Sequence, residues 1–509
     1  MDLSALAAGL DLAIELPDGA GAGSVRISDL TEDSRTVLPG SLFVARAGLL
    51  HDGRSYIAAA CRDGAAAVLT DRDGADAALR VGVPALVSVD VPLATAQIAE
   101  RFFGDPSAKL RVAGVTGTNG KSTVAHLAHG LLNAGGIRAG LIGTITIDDG
   151  REVAASGMTT LPAIELSRTL ATMVEQGCEA AVLEVSSHAL AQLRAAGLRF
   201  DVGVFTSLAS DHLDFHGTQE AYAASKARLF TMLGADGQAI VNADDSAWTR
   251  MLSECVASSL RCSLAPGSDA YVAFEPLGIE AISVALRGPF GSFDAVLPAA
   301  GAHNAMNLLQ AVCVAHALGV PSDRLAGACA HPTLPPGRLE RVVVDGLDAP
   351  DQPIVFVDFA HTDDALERTL RGLRDAAGDR RLSVVFGCGG DRDQGKRPRM
   401  GAVAAAMADR VVLTSDNPRR EKPGSIISMI VEGIGDADRD RVDIHADRSK
   451  AIESAILSAE TGEVVLIAGK GHEREQVLPD GRGGVRTRPF DDAAEARRAL
   501  SLRAETVGT

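Results

Sequence analysis

Apolar positions along the chain fall in short blocks set off by turn residues, and their period changes from block to block. Between residues 25 and 89 the runs VRISDL, DSRTVLPGSLFVA, GAAAVLT and PALVSV are each bounded by Gly, Asp or Pro, which predicts short strands in a small α/β unit. The turn-rich stretch Phe103-Gly104-Asp105-Pro106-Ser107 closes that unit. Arg111 to Val115 then reads as a strand entering the loop Gly117-Thr118-Asn119-Gly120-Lys121-Ser122. Beyond the loop, Val124, Leu127, Ala128, Leu131 and Leu132 share one helical face until Gly135-Gly136 ends the helix. AAVLEV (180–185) and VGVFTSL (202–208) run straight into polar residues, as parallel strands do where they end at a crevice. After Pro332 to Pro336, the strands LSVVFG (382–387), RVVLTS (410–415) and EVVLIAG (463–469) alternate with helical stretches, which predicts a second doubly wound unit. The fold class read from this pattern is α/β in three domains, 1–105, 106–336 and 337–509.

Length supports that division, since 509 residues exceed what one core usually spans at about 100–200 residues per domain. Apolar residues at 46% and charged residues at 23% are those of a folded globular protein. The formal net charge of −17, with no long run of basic residues, argues against nucleic acid or anionic membrane as a partner. Aromatics make up only 4%, with Trp248 the single Trp, which leaves little for base or sugar stacking. Seven dispersed cysteines without a CxxC pair point to a reducing compartment and away from a zinc site. The start Met1-Asp2-Leu3-Ser4 lacks a signal peptide's basic residues, and no apolar run approaches the roughly 18 residues of a membrane span. A cytoplasmic location is the expectation.

The loop GTNGKST (117–123) follows a strand and opens a helix, the setting in which backbone N–H groups cradle phosphates and Lys121 reaches the terminal ones. Ser122 or Thr123 is then placed to touch Mg²⁺. The loop is shorter than GxxxxGK[ST], because Val115 stands five residues before Gly120. Glu184 in EVSSH and His212 in SDHLDFHG sit at two strand tips and suit a divalent cation bound to ATP phosphates. Taken singly, such a His, or Lys226, is as readily a satisfied core or surface group.

The motifs form an ordered series: GTNGKST, EVSSHAL, ASDHLDFHG, the Lys226 segment, GAHNAMN (301–307), PGRLE (336–340), VDFAHTDDALE (357–367), GCGGDRDQGKRPRM (387–400), SDNPR (415–419) and AGKGHE (468–473). This series resembles the Mur ligase family, from Asp33-Ser34-Arg35 to Pro489-Phe490-Asp491-Asp492. The resemblance implies a UDP-sugar-binding N-terminal domain, a central P-loop-type parallel-sheet ATPase and a Rossmann-like C-terminal domain that brings an amino acid. It implies an ATP-dependent, amide-forming ligase of peptidoglycan biosynthesis. The order of motifs points to the addition of meso-2,6-diaminopimelate to UDP-N-acetylmuramoyl-L-alanyl-D-glutamate through an acyl phosphate. Carried over by motif, Gly117, Thr118, Asn119, Gly120, Lys121, Ser122, Thr123, Asn304, Arg338 and Asp358 are expected at ATP. Ser122, Glu184 and His212 are expected at Mg²⁺, with Lys226 as a carbamate, an anionic oxygen ligand of the kind a hard cation prefers. Lys121, Glu184, His212 and Lys226 are the expected catalytic set. Ser34, Thr159, Thr160, Ser186, Gln192 and Arg194 are expected at the UDP-sugar.

For the amino acid, the resemblance implies Arg392, Asp416, Asn417, Arg419, Gly469 and Glu473. The distal carboxylate that distinguishes diaminopimelate from lysine suits a bidentate guanidinium, here Arg419. Five positions depart from the family pattern: Leu161 before Pro162, His303 before Asn304, Phe359, Asp363 and Ser41. GCGGD (387–391) is not GxGxxG, since Arg392 takes the last glycine place, so a dinucleotide site is not expected. Alternatives are the same ligation with L-lysine or ornithine, a folylpolyglutamate synthetase, a P-loop transporter subunit and a non-catalytic nucleotide-binding module. A monomer is expected.

Overall fold

Three sheet-containing α/β domains follow one another in this computed structural model, which describes residues 1–17, 25–48, 51–344 and 352–507. The first sheet has the strand order Ala13–Glu15, Ala85–Val87, Ala67–Thr70, Ser41–Ala45, Asp29–Thr31, antiparallel only at Ala13–Glu15. Successive residues of its inner strand serve opposite faces: Leu42 and Val44 pack into one core, Phe43 and Ala45 into the other. An apolar run without alternation is what a strand covered on both sides requires.

The central sheet has 11 strands. Its parallel middle runs Ala139–Ile142, Ala180–Glu184, Arg111–Thr116, Phe200–Phe205, Leu233–Asn242. Helices Lys121–Ala134 and Ala302–Ala317 close one face and Ala163–Glu175 and Gln219–Thr231 the other. Because these strands run the same way, their carboxyl ends lie along one edge, and the glycine loop, Glu184 and the 206–212 segment all start there. Antiparallel strands not predicted from the sequence extend both ends of the sheet: Thr146–Asp148 and Val153–Ala155 on one side, Ile282–Gly288 and Gly291–Leu297 on the other.

The C-terminal sheet is ordered Glu340–Arg341, Ile354–Asp358, Val464–Ala468, Leu382–Phe386, Arg410–Leu413, Val442–Ile444 and is parallel except at its first strand. The three strands read from the sequence here are present, each ending where its polar tip begins. Among the described residues no helix is long and apolar enough to cross a membrane. Two side-chain contacts join the central and C-terminal domains at the glycine loop: Asn119 Nδ2 donates to Asp364 Oδ2 at 2.7 Å, and Arg338 Nη2 donates to Ser122 Oγ at 3.1 Å.

Candidate active site

The glycine loop is shaped by close approach. A Cβ on Gly117 would stand 1.9 Å from Thr206 Oγ1, and one on Gly120, at φ +85°, 2.7 Å from Asn307 Oδ1. Only glycine lets the backbone pass this close. The helix Lys121–Ala134 starts at once, so its free N–H groups and positive end meet whatever anion enters. Lys121 Nζ lies on the carbonyls of Gly117 and Thr118, at 2.9 and 3.0 Å. Burial lowers its pKa, while Glu184 pulls the other way. Thr118 Oγ1 joins Tyr222 Oη at 3.0 Å, and Asn119 N–H donates to Ser207 Oγ at 3.2 Å.

Glu184 is fully buried at the end of its strand. Its carboxylate accepts from Ser122 Oγ at 2.9 Å, Thr144 N at 2.7 Å and Thr144 Oγ1 at 2.9 Å. A carboxylate and hydroxyl at a helix N-terminus are hard oxygen donors, which fits Mg²⁺, an ion that keeps waters and takes phosphate oxygens as its other ligands. The protein supplies only part of such a shell, since no group of three or more His, Cys, Asp or Glu suited to a metal occurs among the described residues. His212, at φ +54°, faces Asp211, 3.4 Å from Nε2 to Oδ2, and packs edge-on against the His188 ring. Burial pushes the His212 imidazole down to about 4. Lys226 is buried with Nζ 2.7 Å from the Gly117 carbonyl and 4.3 Å from the centre of the Tyr222 ring. Burial, reinforced by Lys121, holds its pKa well below the usual lysine value. A neutral amine is the form that can add CO₂, so the site fits a carbamate.

A cavity of about 540 Å³ opens between the loop and the C-terminal domain. It is lined by Asn119, Gly120 and Thr123 from the loop and by Asn304, Arg338 and Asp358, six of the ten expected ATP residues, whereas Gly117, Thr118, Lys121 and Ser122 are not part of its lining. Asn304 Nδ2 donates to the Ala300 carbonyl at 2.9 Å. Asp358 accepts from Leu339 N at 2.7 Å and Ala360 N at 2.8 Å. Burial raises the Asp358 pKa, with Arg338 opposing. Two departures from the family pattern meet here: Phe359 carries the Arg338 guanidinium 4.6 Å above its ring, and His303, pushed by burial to about 4, lines the cavity wall. A third, Asp363, pairs with Arg399 at 2.7 Å.

The expected amino-acid residues gather at the strand tips of the C-terminal sheet. Asn417 Nδ2 donates to Glu473 Oε2 at 2.7 Å, and a Cβ on Gly469 would touch Asp416 Oδ2 at 2.7 Å. Arg419 sits at φ +52°, unusual for a residue with a side chain, and its Nη1 donates to the Gly390 carbonyl at 2.8 Å. Half-buried, it has its pKa lowered by desolvation and then by neighbouring Arg392. A Cβ on Gly389 would stand 3.0 Å from Arg419 Nη1 and 3.7 Å from Arg392 Cγ, so the two side chains are neighbours, a pairing that suits an anion. Sequence reasoning missed Lys470, fully buried between Asn417 and Glu473, although it stands inside AGKGHE.

Five of the six expected UDP-sugar residues, Thr159, Thr160, Ser186, Gln192 and Arg194, form a second group. Thr160 Oγ1 donates to the Glu184 carbonyl at 2.8 Å and accepts from Ser186 N at 3.0 Å, while Arg194 reaches the Thr160 carbonyl at 2.9 Å and holds Gln192 Oε1 at 2.7 Å. Thr159 Oγ1 accepts from Thr144 at 3.1 Å. Ser34 lies in the single turn Ser34–Thr36 of the first domain, shortly after Glu32. Burial lowers the Arg194 pKa, then Arg46 lowers it further and Glu32 opposes, so the first domain faces Arg194 across this hollow. Arg46 and Thr144 were missed because neither lies in a motif.

Family models match in the same order as the three sheets: "Mur ligase family, catalytic domain" over residues 26–103, "Mur ligase middle domain" over 115–315 and "Mur ligase, glutamate ligase domain" over 337–471. A UDP-N-acetylmuramoyl-L-alanyl-D-glutamate--2,6-diaminopimelate ligase of Synechococcus sp. is 43% identical over 495 residues, 96% of this chain and 97% of the relative. One of the same name from Pseudomonas aeruginosa is 42% identical, over 93% of this chain and 95% of its own. A solved structure bearing that name superposes with a TM-score of 0.67 at 33% identity, over 95% of this chain and 97% of that one. The MurF ligase of Thermotoga maritima in complex with ADP shares the fold, with a TM-score of 0.63 at 18% identity, over 95% of this chain and 99% of that one. With each of the three large sheets met by its own family match, and relatives aligned across nearly the full length, the chain belongs to the Mur ligase family.

Proposed function

We propose that the protein is an ATP-dependent ligase that joins meso-2,6-diaminopimelate to UDP-N-acetylmuramoyl-L-alanyl-D-glutamate. The observation that carries this is the glycine loop and its cavity at the central strand tips, walled also by the C-terminal domain, with Arg419, Asn417 and Glu473 grouped at the tips of the C-terminal sheet. The name shared by relatives at 42–43% identity supports it. Residues 1–105 and the Arg194 hollow take the UDP-sugar, 106–336 the nucleotide and 337–509 the amino acid.

In this reading the γ-phosphoryl of ATP passes to the free carboxylate of the UDP-muramoyl dipeptide, giving ADP and an acyl phosphate. The diaminopimelate amine attacks the acyl carbon, and the tetrahedral adduct expels phosphate to leave the amide. The loop N–H groups, Lys121 and Arg338 offset charge on the transferring phosphoryl. Mg²⁺, held by Ser122, Glu184, His212 and carbamylated Lys226, would supply further neutralisation of phosphate charge. Asn119–Asp364 and Arg338–Ser122 draw the two domains together and exclude water from the reactive intermediate. Arg419 and Arg392 grip the distal carboxylate of diaminopimelate, and Asp416 and Glu473 take its ammonium.

Phosphate release is the test, with purified protein, ATP, Mg²⁺ and the UDP-muramoyl dipeptide, and with meso-diaminopimelate, L-lysine or ornithine in parallel. Release with diaminopimelate alone is expected. Release with lysine instead keeps the ligase and removes Arg419 as selector, and ATP binding without release under any amine overturns the enzyme reading. Native mass analysis checks the carbamate: about 44 Da is expected on the wild type, lost in acid and absent from Lys226→Ala.

A further inference from the structure

Glu473 is held by one oxygen only. Its Oε2 accepts from Asn417 Nδ2 at 2.7 Å and from Lys470 Nζ at 2.6 Å, while Oε1 has no hydrogen-bond partner among the described residues. The side chain remains 34% exposed, whereas that of Lys470 is fully buried. Lys470 also donates to Asn417 Oδ1 at 3.1 Å, and that oxygen accepts from Val477 N at 2.9 Å. Asn417 therefore spends its amide on internal partners, donor to Glu473 and acceptor to Lys470. The ammonium is buried from solvent, and its side-chain partners are these two residues.

We infer that Lys470 is a positioning residue for amine selection, an internal cation that pins Glu473 through Oε2 so that Oε1 is presented to the substrate ammonium. This rests on the function proposed above. A carboxylate on a flexible stem, half open to water, loses orientation unless one oxygen is fixed, and a charge-assisted bond fixes it better than a neutral one. A buried lysine without its carboxylate would be an unpaired charge in the interior. Lys470 and Glu473 are therefore one unit, and removing either should undo what the other contributes.

A four-way comparison tests this: wild type, Lys470→Met, Glu473→Gln and the double variant, each assayed for phosphate release. Wild-type turnover of diaminopimelate is measured first and tests the proposed function by itself. Given that turnover, Lys470→Met should raise KM for diaminopimelate on the order of tenfold, the loss of an oriented charged hydrogen bond, while KM for ATP and for the UDP-dipeptide stays within about twofold. The double variant should match Glu473→Gln alone. An unchanged KM for diaminopimelate, a joint rise of all three KM values, or two effects that simply multiply would overturn the inference. Should Lys470→Met fail to fold, the double variant, which buries no unpaired charge, decides through its comparison with Glu473→Gln.

Discussion

The Gly117 carbonyl accepts from two lysines, Lys121 at 2.9 Å and Lys226 at 2.7 Å, and burial lowers the pKa of both. A phosphate entering the loop would favour the charged form of Lys121. Lys121→Ala is expected to lower turnover on the order of 10²-fold or more, measured by phosphate release with protein of unchanged circular dichroism. Arg419→Ala should raise KM for diaminopimelate by about 10–100-fold, the cost of lost charged hydrogen bonds, with KM for ATP unmoved. Arg419→Lys should recover only part of this, since an ammonium cannot make the bidentate grip. Lys121 and Glu184 were legible in the sequence because one follows a glycine loop and the other ends an apolar strand, and Arg419 because it closes the SDNPR motif. Thr144, Arg46 and Lys470 were not, because their roles come from partners distant in the chain: Thr144 reaches Glu184 across 40 residues and Lys470 reaches Asn417 across 53.

Among the elements, helix Asp363–Ala377 does two jobs. Leu366, Leu370 and Leu373 bury its apolar stripe, while Thr362 caps its start by accepting from Ala365 N at 3.2 Å. Thr362→Ala should cost about 1 kcal/mol, and Leu370→Ala about 2–5 kcal/mol, both read as shifts in the denaturant midpoint. The sequence announced the doubly wound sheets clearly, because buried parallel strands are unbroken apolar runs, but it marked this helix only as one of the helical stretches between them. Strands Ile282–Gly288 and Gly291–Leu297 escaped notice although Ile282, Val284 and Leu286 alternate with less buried neighbours. One-sided burial left their outward positions small or polar, so the segment looked like a loop rather than an edge of the sheet.

Across the whole molecule, burial has placed neutral histidines where unfolded chain would hold cationic ones. His303 and His361 are pushed down to about 4 and His472 to about 3, from an ordinary 6.5. As pH falls below 6.5 the unfolded chain takes up protons that the native state refuses, so their stabilising share is complete above that pH and is lost towards pH 4. Each contributes a slope of about 1.4 kcal/mol per pH unit in that window. Urea titrations at pH 7.5 and pH 5 should therefore show a clear drop in midpoint at the lower pH, and His303→Phe should shrink it. The cavity proposed for the nucleotide has a different consequence, because its walls come from two domains. Neither domain owns the binding energy, so whatever factor ATP adds to the grip of one domain on the other, that grip must return to ATP as affinity. A substitution that loosens Asn119 from Asp364 would thus register as a weaker nucleotide and as a looser hinge by the same ratio. The bound nucleotide is in effect a tendon between the domains, and its tension can be read from either end.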